Sequence, residues 1–127
     1  MEKIEIKISL GKGRGVFALV PFKKDEVIEN FPAIVLSDND QSLVWKKSDV
    51  MRRYFFIDVD NSCTCILLGY GSIYNHSKQA NCRIENERPY QFRMVANTDI
   101  EPGDELLHDY HEETEDFLDE DYINRIV

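Results

Sequence analysis

Asn75, His76 and Asn81 stand close together in "GYGSIYNHSKQANC", directly behind the apolar "ILL". Amides and an imidazole are costly to bury without partners, so polar groups placed there serve either a turn or a ligand pocket. Upstream, Gly11, Gly13 and Gly15 alternate in "GKGRG". They fit neither the dinucleotide G-x-G-x-x-G nor the phosphate loop G-x-x-x-x-G-K-[ST], and no parallel βαβ context surrounds them. Such a run can still bring backbone N–H and C=O groups up to a ligand, or can simply form a turn. Tyr54, Tyr70, Tyr74 and Tyr110 abut Gly-containing or polar segments, and each offers an apolar wall with a hydroxyl at its tip. Taken singly, each reads as a core residue.

Other chemistries are excluded by spacing. His108 and His111 lie among carboxylates, but a strand would point them to opposite faces and no H-E-x-x-H is present, so no metal site is expected. "DVDNSCTCILLG" fails as a calcium loop because Cys63 and Gly69 occupy its glycine and glutamate positions. There is no G-x-S-x-G elbow. Cys63, Cys65 and Cys82 are an odd set without the spacing of a zinc site, and read as small buried hydrophobes. The net charge of −9 is concentrated in "DELLHDYHEETEDFLDED", which disfavours direct nucleic-acid binding and favours cationic partners. The start "MEKIEIKIS" lacks the apolar core of a signal peptide, and no stretch nears the roughly 20 apolar residues that span a bilayer. An intracellular, soluble protein, cytoplasmic or nuclear or delivered to a host cell, and not membrane-bound, is the expectation.

The elements that must position these residues are mostly strands of one domain. "KIEIKISL" alternates with period two; "GVFALV" and "EVIENFPAIVL" are β-prone runs joined by a polar link; "YFFIDV" and "CTCILLG" form a hairpin across Asp60 and Asn61. Pro32 suggests an edge strand or a strand start. Residues 37–53 read as a short helical insert. "RPYQFRMVANTDI" adds a strand, and "EPGDELLHDY" a turn with another short one. Phe117, Leu118, Tyr122, Ile123 and Ile126 recur at near-helical spacing in an acidic tail, which predicts a terminal helix.

Three segments in order, "GKGRGVFA", "GSIYNHSKQAN" and "EPGDELLHDY", together resemble the SET-domain protein lysine methyltransferases, with signatures G-x-G-[VL]-F/I-A, N-H-[SC]-x-x-P-N and E-[LI]-x-x-[DN]-Y. The compact form, without cysteine-rich zinc-binding flanks, looks most like the stand-alone SET proteins of viruses and bacteria. The resemblance implies a mainly β fold of small sheets with a C-terminal pseudoknot fastened by Asn81. Its domain would run over residues 1–112, with the variable insert at 37–53 and an acidic helix or tail at 113–127.

It also implies S-adenosylmethionine as cofactor, held by Lys12, Gly13, Arg14, Gly15, Asn75 and His76. The terminal helix, through Phe117 or Tyr122, is the candidate cover for the adenine, its alternative role being to pack against its own domain or a second subunit. Tyr110 would stand at the base of a lysine channel near the Asn75–His76 corner, with Tyr54 in its wall. His108 replaces the usual Phe or Tyr two residues before Tyr110, which implies addition of only one or two methyl groups. Its plain alternative is a surface histidine. Ala80 in place of proline and Asp25 in place of glycine are expected to be local loop adjustments. The implied substrate is a lysine in a basic protein segment such as a histone tail, and a homodimer is an expected assembly. The second reading is a non-catalytic SET-like module that binds basic peptides.

Overall fold

The computed structural model describes residues 1–58, 63–88 and 90–110; the expected terminal helix, with Phe117 and Tyr122, and His111 lie outside them. In chain order the elements are β1 (Ile4–Ser9), β2 (Gly13–Ala18), β3 (Val27–Leu36), α1 (Asp38–Lys47), a 3-10 turn (Met51–Arg53), β4 (Phe55–Asp58), β5 (Cys63–Leu67), β6 (Asn75–His76), β7 (Cys82–Arg88), β8 (Gln91–Ala96) and β9 (Leu107–His108). The mainly β expectation holds.

Alternation in "IEIKIS" makes β1 one arm of an antiparallel hairpin, paired with β2 from Ile4↔Ala18 to Ser9↔Gly13. Gly11 and Gly13 both adopt φ 78° in the connecting turn, a conformation that costs a side-chain-bearing residue energy. A five-stranded sheet follows in the order β4-β5-β3-β8-β7. Within it β3 changes partner: Val27 to Pro32 face β8, and Ala33 to Leu36 face β5. Pro32, expected at an edge or a strand start, therefore sits inside a central strand. It is tolerated because it falls at the changeover, where its missing N–H interrupts neither ladder.

Residues 82–87, unassigned from sequence, run in β7, whose Arg83 and Glu85 form a charged ladder with Arg93 of β8. Charge masked its period. Asp25 has φ 71°, so it takes the left-handed turn conformation that glycine would otherwise serve, and its carboxylate meets Arg83 at 3.1 Å.

A short helix stands in the expected stretch 37–53. Ser37 caps α1 by accepting from Asp40 N at 3.0 Å, while Asp40 reaches back to Ser37 N, and acids begin and lysines end the helix in accord with its dipole. The main core gathers Val16, Phe22, Phe31, Tyr74, Phe92, Met94, Ile100 and Leu106 from the hairpin, the sheet and the C-terminal segment. Each such side chain contributes about 1.5–3 kcal/mol on burial. A second cluster forms around Phe55 and Ile57, with Val44 and Trp45 of α1 and the Tyr110 ring packed against it. No helix among the described residues is long and apolar enough to cross a membrane.

Candidate functional site

The smallest sheet builds the site. β6 runs parallel to β9, pairing Asn75↔Leu107 and His76↔His108, and Ser77 N donates to His108 O at 3.1 Å. Two residues per strand cannot hold such a pairing alone. Asn81 completes it, donating from Nδ2 to Glu105 O (2.9 Å) and accepting from Leu107 N on Oδ1 (2.8 Å). These are the two segments whose crossing the resemblance implied.

The β1–β2 turn docks on this pair. Lys12 Nζ donates to His76 O at 2.8 Å. Asn75 Nδ2 donates to Arg14 O (2.9 Å) and to Glu105 Oε2 (2.8 Å), while Glu105 Oε1 accepts from Ser9 Oγ (2.8 Å). Both amide hydrogens of Asn75 are thus directed at protein acceptors, and the atom it turns outward is Oδ1, itself an acceptor. Gly15 is crowded from within the protein: a Cβ there would collide with Glu105 Oε2 and stand 2.9 Å from Asn75 Nδ2. Gly13 has open space around it, so φ rather than crowding demands glycine there.

Tyr110 closes the other side. Its N–H donates to His76 Nδ1 at 3.0 Å, and its hydroxyl donates to Tyr74 O at 2.7 Å. Asp109 Oδ1 stands 3.7 Å from the same nitrogen, a pair that is ionic only when the imidazole is protonated. The Tyr110 ring lies 5.1 Å from His76 and 4.8 Å from His108. His108 is 4% exposed, which corrects its reading as a surface histidine: β9 turns it inward beside Tyr74 and Tyr110. Behind them, Tyr74 Oη donates to Glu29 Oε1 at 2.8 Å and Tyr70 N to Glu29 Oε2 at 2.9 Å. Burial raises the Glu29 carboxyl above its ordinary value despite these two bonds, which pull it down. Burial, with the nearby Glu29 charge, pushes the Tyr74 phenol well up.

Between these walls lies a cavity of about 420 Å³, lined by Gly11 to Arg14, Arg53, Tyr54, Ser72 to Asn75 and Tyr110. It gathers six of the expected site residues: Lys12, Gly13, Arg14, Asn75, Tyr54 and Tyr110. Gly15, His76 and His108 pack behind the lining, and Phe117 lies outside the described residues. Sequence reasoning missed Arg53, Ser72, Glu29 and Glu105. Glu105 opens the quoted E-L-L-H-D-Y run, and that motif was its one available signal; Arg53 directly precedes Tyr54. Among the described residues no group of acids, histidines and cysteines could hold a metal ion.

A parallel-paired Asn-His segment, a glycine hairpin folded onto it and a C-terminal tyrosine returning to both define a class of domain. The SET-domain family model matches residues 13–111, and this chain belongs to that family. It is 29% identical over 113 residues to N-lysine methyltransferase KMT5A-A of Danio rerio, covering 79% of this chain and 33% of that protein. It is 27% identical over 136 residues to histone-lysine N-methyltransferase Set8 of Drosophila pseudoobscura pseudoobscura, covering 92% and 19%. The chain thus spans a third or less of the length of these two curated relatives. Among solved structures, a Plasmodium falciparum protein named as a candidate histone methyltransferase superposes with a TM-score of 0.65 at 30% identity, covering 87% of this chain and 94% of that one. A PRC2 complex bound to S-adenosylmethionine superposes at 0.73 with 17% identity over 88% of this chain and 15% of that one, a likeness of fold.

Proposed function

We propose that this chain is an S-adenosylmethionine-dependent protein lysine N-methyltransferase. The observation that carries the reading is the meeting of Tyr110, its hydroxyl on Tyr74 O and its N–H on His76 Nδ1, with the Asn75–His76 segment at one polar cavity. The cavity suits the cofactor in size and donors: about 420 Å³ lies in the range of small-molecule sites. Its lining offers the cations Lys12, Arg14 and Arg53 for a carboxylate, with Asn75 Oδ1 as acceptor for an ammonium. Bound there, S-adenosylmethionine would supply a sulfonium-activated methyl group and a positive charge that favours a neutral incoming amine.

The residues of the chain position and desolvate. Because the Tyr110 hydroxyl spends its proton on Tyr74 O, its oxygen can act as acceptor toward an amine. A lysine with an ordinary pKa near 10.4 must lose a proton before it attacks, and the apolar cluster behind Tyr110 favours the neutral form. Water carries that proton away, without a dedicated base. Catalysis then rests on orientation and electrostatics. Tyr54 walls the channel and His108, packed on Tyr110, limits the number of methyl groups. The net charge of −9 favours a basic segment, such as a histone tail, as substrate, and the likeness to a protein named histone-lysine N-methyltransferase supports an intracellular site of action.

Transfer of labelled methyl from S-adenosylmethionine to histones and to a cell lysate tests the reading, with loss of about 100-fold or more expected in Tyr110→Phe. Calorimetric binding of the cofactor without transfer to any substrate would leave the peptide-binding module instead.

A further inference from the structure

Tyr110 points its hydroxyl at a carbonyl in a stretch of turns that one backbone bond, from Leu68 N to Pro32 O of β3 at 3.0 Å, ties to the sheet. From Leu68 to Tyr74 the chain runs through turns, with Gly71 N donating to Leu68 O and Ile73 N to Tyr70 O. A run of turns opens more readily than a strand unless something pins it. Glu29, on β3, pins this one at two places: Oε2 takes Tyr70 N at 2.9 Å, and Oε1 takes the Tyr74 hydroxyl at 2.8 Å. Gly69, at φ 59°, lies so near the carboxylate that a Cβ there would stand 2.5 Å from Glu29 Oε2. Tyr74 itself is 1% exposed. Among the described residues Glu29 forms no salt bridge, so a half-buried carboxylate is spent on neutral donors of a single turn. That is costly for an acid with a merely structural task, since a well-packed apolar residue would fill the same space more cheaply.

We propose that Glu29 is a positioning residue for Tyr110: by tying Tyr70 and Tyr74 to β3 it fixes the Tyr74 carbonyl that receives the Tyr110 hydroxyl, and so sets how the phenol oxygen faces the cavity. The kinetic consequence rests on the methyltransferase reading; the orientation of the phenol does not. Removing the Tyr74 hydroxyl leaves its carbonyl in place but unanchored. In Glu29→Gln the carboxamide can accept from Tyr70 N with its oxygen, and then turns an NH2 toward the Tyr74 hydroxyl.

The test compares wild type, Tyr74→Phe, Glu29→Gln and the double variant. Each is labelled with fluorotyrosine, the Tyr110 line is assigned by Tyr110→Phe, and folding is checked by circular dichroism. Both single variants are expected to shift the Tyr110 fluorine line and to lower kcat about tenfold, short of the ~100-fold that a 1 Å misplacement can cost. The dissociation constant for S-adenosylmethionine should stay within about twofold, and the double variant should fall no further than the worse single one. An unmoved Tyr110 line in folded Tyr74→Phe and Glu29→Gln overturns the proposal, as does kcat at the wild-type level in both. Should Glu29→Gln fail to fold, Tyr74→Phe, which keeps the carboxylate, decides alone. If wild type transfers no methyl to any substrate the methyltransferase reading fails, and the fluorine line by itself then supports or refutes the positioning role.

Discussion

Replacing Gly15 by alanine is expected to unfasten the proposed cofactor site from inside. The new methyl would occupy the position of Glu105 Oε2 and press on Asn75 Nδ2 at 2.9 Å, so the Glu105 carboxylate must retreat. That carboxylate accepts from Ser9 Oγ and Asn75 Nδ2, both at 2.8 Å. Hydrogen bonds to a charged group are worth about 1.5–3 kcal/mol each. Because the cluster is only part-buried, water can replace some of that, and a net loss of about 2–3 kcal/mol is the expectation. If the Asn75 half of that loss, about 1–1.5 kcal/mol, is felt wholly in binding, the dissociation constant for S-adenosylmethionine weakens roughly 5- to 12-fold. Isothermal calorimetry on folded Gly15→Ala measures it. Gly103→Ala is the control: at φ 94° with no atom within 4 Å of the new Cβ, it should cost about 1 kcal/mol or somewhat more of stability through backbone strain and leave affinity unchanged. Affinity within about twofold of wild type in folded Gly15→Ala would refute the claim that the Glu105–Asn75 link holds the site.

Further outcomes concern the channel, the thiols and pH. His108→Phe, at a buried position 4.8 Å from the Tyr110 ring, is expected to raise the number of methyl groups added; an unchanged product distribution by mass spectrometry counts against this. Cys82, whose thiol burial pushes up to about 12, and Cys65, fully buried, should resist alkylation at pH 8 until the chain is unfolded, as read by peptide mapping. Glu85 is held below its ordinary value, first by the Arg83 hydrogen bond and then by Arg93, so it stabilises the fold above the unfolded value near 4.5 and loses that contribution as pH falls through its lower folded value. Glu85→Gln should therefore melt slightly below wild type at pH 7, by less than about 1 kcal/mol for so solvated a pair, and converge with it near pH 3.

Local pattern carried much of the architecture. Period-two alternation announced β1, β-branched runs announced β3 and β5, and a turn-forming start followed by loosely spaced apolar residues marked the stretch that became α1. It failed where charge covered the alternation, as in β7, and where a strand changed partners, as at Pro32. The site was legible in its motif residues: Lys12, Gly13, Arg14, Asn75 and Tyr110 line one cavity. Its supports were not, because Glu29 acquires a role only when β3 lies behind the 68–74 turn, and Glu105 only when the hairpin folds onto β6.

By itself the order of residues determined which groups could do chemistry, since side-chain identity and short-range backbone preference are written in neighbouring positions. Tertiary structure alone decided that His108 points inward, that Gly15 is required by Glu105, and that the Tyr110 hydroxyl meets the Tyr74 carbonyl. Those relations join groups far apart along the chain, Ser9 with Glu105 and Glu29 with Tyr74, and their energies exist only once the packing of strands has removed the water between them.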